Sequence, residues 1–144
     1  MAEGKRKELY EYEPKILIAF GEAIARNIKI HNWLLKNGYP ELAAFAATLQ
    51  ADKVAFTWLM THGFNHFAAF CNAIDEDEQA KVWLVQHKFN FLLILLDAFE
   101  QKPDAMVWLR KHDLKIFVVI VQKILDLKKQ QHRDYGDYHS IHFN

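Results

Sequence analysis

The sequence predicts an all-α fold in which tandem 25-residue helix-turn-helix repeats stack as a short α-solenoid. Three observations lead there. The chain's four tryptophans, Trp33, Trp58, Trp83 and Trp108, are spaced at intervals of 25 without slippage. An apolar stripe at i, i+3, i+4, i+7 recurs with the same period: Leu42, Phe45, Ala46, Leu49, then Phe67, Phe70, Cys71, Ile74, then Leu92, Leu95, Leu96, Phe99, and last Phe117, Ile120, Val121, Ile124. That spacing puts the four residues of each set on one helical face, whereas a strand would alternate. Between the helical segments fall residues suited to caps and turns.

Each unit therefore reads as two short helices. In the first helix every tryptophan is followed by leucine: Leu34, Leu59, Leu84, Leu109. Four positions after each tryptophan come Asn37, His62, His87 and His112, and six after it Tyr39, Phe64, Phe89 and Leu114. Asp52 and Asp77 are placed to cap this helix by accepting from its free amides. Pro103 stands at the same boundary in the fourth unit, where its fixed φ suits a first turn. Gly38 and Gly63 follow the tryptophan helix, where a left-handed residue ends it. Lys88 and Asp113 take that place later, so those turns are expected to be strained or differently shaped. Pro40, Asn65 and Asn90 open the second helix. Helices of about ten residues are not stable alone, so stability must come from stacked neighbours.

Taken in order, the chain reads as one repeat domain over 1–128 and a tail over 129–144. The domain starts with a degenerate unit, 4–28, which keeps Leu9 in the leucine's place and the stripe Leu17, Phe20, Gly21, Ile24 but has no tryptophan. Such a terminal unit is expected to turn a polar face outward. Four full repeats follow, at 29–53, 54–78, 79–103 and 104–128. The second helix grows more apolar along the array and ends in Ile116-Phe117-Val118-Val119-Ile120-Val121. The last unit has no following repeat, so Val118 and Val119 need another cover. Two are available: the tail folding back with Tyr135, Tyr138, Ile141 and Phe143, or a second copy of the chain packing there as a two-fold dimer. The tail has no apolar stripe of its own and reads as extended, docked or mobile.

Composition bounds the function. Hydrophobic residues make up 51% of the chain, too many for a disordered body. No run is long enough for a membrane span, no apolar leader opens the chain, and one cysteine excludes an internal disulfide; these features fit a cytoplasmic protein. The formal net charge is zero, but the charges segregate. From Asn72 to Asp104 there are seven acids against three lysines, a net of −4, and from Arg110 to Arg133 seven basic residues against two acids, a net of +5.

No residue constellation points to catalysis, to a cofactor or to a metal. There is no phosphate-binding loop, nucleophile elbow or paired-cysteine motif. His62, His87 and His112 recur one repeat apart, too far for one ion with bonds of about 2 Å; near helix C-termini they are expected to bond the last carbonyls. The tail cluster of His139 and His142 with Asp134 and Asp137 has no rigid element to hold ligands in place. The tryptophan series, with the leucines beside it, reads as repeat core rather than an exposed aromatic ladder. The period is shorter than those of tetratricopeptide, ankyrin or HEAT repeats, and the resemblance is to α-solenoid proteins as a class. The expected function is a non-catalytic scaffold or adaptor for another protein, with Val118, Val119, Tyr135, Tyr138, His139 and Phe143 as the candidate surface. The alternative is nucleic-acid binding through 110–133.

Overall fold

The computed structural model describes residues 7–143, with side chains through residue 133. A 3-10 turn, Leu9–Glu11, precedes α1 (Pro14–Ile24), α2 (Ile28–Lys36), α3 (Pro40–Leu49), α4 (Lys53–Thr61), α5 (Asn65–Ile74), α6 (Glu78–Gln86), α7 (Asn90–Phe99), α8 (Pro103–Lys111) and α9 (Lys115–Phe143). No strand occurs among the described residues. No helix among them is long and apolar enough to cross a membrane.

Local chemistry sets the boundaries. Asp52 accepts from the amides of Val54 and Ala55, and Asp77 from those of Gln79 and Ala80, which fixes the starts of α4 and α6. Pro40 and Pro103 are first residues of α3 and α8. Every tryptophan helix ends in a left-handed residue followed by a six-to-one bond: Tyr39 N–H to Leu34 O, Phe64 to Leu59, Phe89 to Leu84 and Leu114 to Leu109. Gly38 and Gly63 supply the first two of these turns with φ of 92° and 85°, and Lys88 and Asp113 adopt the same geometry at 61° and 60°. The last two turns are thus strained but not reshaped. The second helices end in the same way at Arg26, Ala51, Glu76 and Gln101, all non-glycine residues at positive φ.

The second helices form the inner layer. α1, α3, α5, α7 and α9 pack in that order, and α9 packs back on α1, so the series closes on itself. Each first helix, α2, α4, α6 and α8, lies against the inner helices before and after it. Phe20, Phe45, Phe67, Phe70 and Phe117 are buried inside, with Phe45 stacked on Phe67 at 4.4 Å between centroids. The closure buries against α9 a side of the first unit that was expected to turn a polar face outward. Gly21 explains it in part: Lys123 Cδ lies 3.1 Å from where a Cβ on Gly21 would stand, so the missing side chain admits α9. Lys123 Nζ then reaches Glu22 at 3.5 Å.

The last unit's inner helix is covered in part by α1 rather than by a tail folded back on it. α1 packs against α9, and Val118 is half-buried against the core while Val119 is 50% exposed. The division at 128/129 is not a break in the backbone, because α9 continues helical to Phe143. A helix that runs straight on does not lie back over its own first turns. The side chains of Tyr135, Tyr138, His139, Ile141, His142 and Phe143 lie outside the described residues.

Past its first turns α9 crosses the C-terminal ends of its inner neighbours. Lys128 Nζ donates to Leu49 O at 2.9 Å and pairs with Asp75 at 3.1 Å, and Gln131 Nε2 donates to Leu49 O at 3.2 Å. An ammonium at helix C-termini suits both their unsatisfied carbonyls and their dipoles. Gln50 Nε2 does the same for α1, donating to Ala23 O at 2.8 Å.

Candidate functional site

The repeat tryptophans are not the core. Trp33 is 42% exposed, and Trp58, Trp83 and Trp108 are half-buried at its edge. Leu34, Leu59, Leu84 and Leu109 are fully buried. This corrects the reading of all eight as one core set. Successive helical residues point about 100° apart, so only one member of each Trp-Leu pair can face the inner ring.

The tryptophans take part in a second repeated structure at the turn face, where first helices end and inner helices begin. His62, His87 and His112 bring Nδ1 to within 2.8, 2.9 and 2.9 Å of the carbonyls of Trp58, Trp83 and Trp108. In the first repeat Asn37 Nδ2 donates to Trp33 O at 2.8 Å. The spacing of four between tryptophan and histidine is therefore a helix cap, as the sequence leads one to expect. Each imidazole also stacks on its indole, with centroids 4.0, 4.2 and 3.9 Å apart. A carbonyl only accepts, so Nδ1 carries a proton in this bond, and Nε2 takes no part in the cap. Phe64 and Phe89 stack against Trp58 and Trp83, and Tyr39 against Trp33. The outcome is a series of stacked Trp-His plates at the ends of the first helices.

The N-terminal residues lie across the same face. Leu9 and Tyr12 are buried, and the Tyr12 hydroxyl donates to Glu41 at 2.6 Å. Burial, with the Glu41 carboxylate next in importance, raises the phenol far above its ordinary range. The Tyr10 ring meets Phe91 edge-on at 5.0 Å. Glu41, His66 and Phe91 are second residues of α3, α5 and α7. Glu8 and Leu9 line one narrow crevice with His66 and Phe91. Residues 7–13 thus form a strap over three repeats. Leu9 is legible in the sequence as the missing unit's leucine; the strap's path is not.

Other candidates are placed elsewhere. Cys71 is 3% exposed, and burial pushes its thiol well above the usual range, the opposite of an activated nucleophile. No group of three or more His, Cys, Asp or Glu side chains converges among the described residues. Of the basic residues over 110–133, Lys123 and Lys128 are engaged internally, while Arg110, Lys111, Lys115, Lys129 and Arg133 are exposed. Comparison with protein-family models, with curated proteins and with solved structures gives no match, and the turn face is read from its geometry alone.

Proposed function

We propose that the chain is a non-catalytic helical-repeat scaffold, cytoplasmic in location, whose turn face binds another protein. The observation that supports this is the repeated Trp-His plate. Large aromatic groups fixed at half exposure are the residue chemistry enriched at protein interfaces. Held on helix ends, they lose little side-chain freedom on binding. The single buried cysteine agrees with a reducing compartment.

Selection of a random peptide display library on the folded chain tests the proposal. Enriched peptides are expected to lose about tenfold or more in affinity to Trp58→Ala and Trp83→Ala. Circular dichroism of these variants should stay helical, and moderate salt should matter little. No enrichment, or enrichment indifferent to both substitutions, would overturn the reading. Retention on heparin that falls steeply with salt, and falls further in Lys111→Ala and Lys129→Ala, would instead support nucleic-acid binding through 110–133.

A further inference from the structure

Resting on the protein-binding reading above, we propose that the groove between the strap and the fourth repeat receives an aromatic side chain from a segment of a partner polypeptide. The chain itself shows how the turn face takes such a segment. Where the strap lies, the face is filled: the crevice beside Leu9, His66 and Phe67 has a volume of only about 10 Å³. Just past the strap, a groove of about 590 Å³ opens over the next stretch of the same face. That is within the range of binding clefts, roughly 300–1,000 Å³.

The groove's walls are aromatic and apolar. Phe91, Ile94, Trp108 and Leu114 form the repeat side, and Tyr10 closes the strap side. Phe91 is already ringed edge-on by Tyr10 and by Phe117, at 5.0 and 4.9 Å, so an inserted ring meets preorganised aromatic partners. The groove is continuous with the intramolecular contact the strap makes, in which Tyr10 of the 3-10 turn meets Phe91.

Two polar groups select a polypeptide over a free aromatic compound. His112 lines the groove, and its Nδ1 is committed to Trp108 O, which leaves Nε2 for a hydrogen bond to a peptide backbone. Asn90, exposed at the first turn of α7, has an amide that donates to a peptide carbonyl and accepts a peptide N–H. The backbone turn at the groove's mouth is held by Lys88 at φ 61°, where the first two repeats have glycine.

The test is a nuclear magnetic resonance titration of the full chain. The probes are the capped tripeptides acetyl-Gly-Tyr-Gly-amide, acetyl-Gly-Trp-Gly-amide and acetyl-Gly-Ala-Gly-amide, together with free phenol and indole. The aromatic tripeptides should shift the Trp108 indole and the His112 ring saturably, while the Trp33 indole stays in place and the alanine peptide does nothing. Ile94→Glu should weaken binding about tenfold. If that variant unfolds, Tyr10→Ser, an exposed wall residue, replaces it with the same expected loss. The inference falls if no saturable shift occurs at Trp108, or if all four indoles shift alike. It also falls if phenol or indole binds as well as the tripeptides, which would make this a small-molecule pocket. The titration reads one groove and the display selection reads the whole face. Display peptides that still depend on Trp58 and Trp83, with a silent Trp108, would remove the groove and keep the scaffold. Failure of both would remove both.

Discussion

The two helices of a repeat are nearly equal in length and opposite in burial. α4 has nine residues and buries only Leu59; α5 has ten and buries seven, among them Phe67, Phe70 and Cys71. Inner helices have neighbours on several sides, whereas each outer helix rests in the gap between two inner ones and shows the rest of itself to water. The outer layer therefore holds the fold by one leucine per repeat. Its tryptophan stays partly in water while contributing the apolar area on its buried side. Periodicity alone does not separate these roles, because a repeat preserves packing residues and surface residues at the same interval.

Substitutions can break or sharpen that contrast. The largest effect is expected in the inner layer: Phe45→Ala should lower stability by about 3–5 kcal/mol in chemical denaturation, since it opens a cavity at the stacked phenylalanines. Leu59→Ala, the outer layer's anchor, should cost about 2–5 kcal/mol. Trp58→Ala should cost less, about 1–2 kcal/mol, because only part of its surface leaves water on folding. Equal losses for Trp58→Ala and Leu59→Ala would show that the tryptophan is core after all.

Closure of the inner ring gives the next effects. Gly21→Leu puts a branched side chain against Lys123 and Ile120 and should destabilise by about 1–3 kcal/mol through overpacking. An open stack would tolerate leucine there without loss. Lys128→Ala leaves Leu49 O without one of its two donors and removes the pair with Asp75, for about 1–2 kcal/mol.

The turns should give the smallest effects, and of both signs. Lys88→Gly relieves a left-handed residue and should stabilise by about 0.5–1 kcal/mol, an effect readable as a higher melting temperature. Gly63→Val, at φ 85°, should cost more than about 1 kcal/mol. The same shift from both would mean that the four turns are not equivalent.

By itself the sequence determined the repeat helices, their caps and their period, but not the run of α9 on to Phe143. Each of these is decided within a few residues, by an aspartate that reaches its own helix's amides, by a histidine that reaches the carbonyl four residues back, and by a stripe that must face inward. Asp52, Asp77, His62 and Gly63 are therefore readable one position at a time. Tertiary structure decided what lies across the array. That α9 meets α1, that Trp58 yields the core to Leu59, and that residues 7–13 strap the turn face all depend on how far each inner helix rotates from the last. That rotation is the sum of packing at every interface. No single residue encodes it, although Gly21, small where its counterparts are Ala46, Cys71, Leu96 and Val121, marks one place where the sum closes.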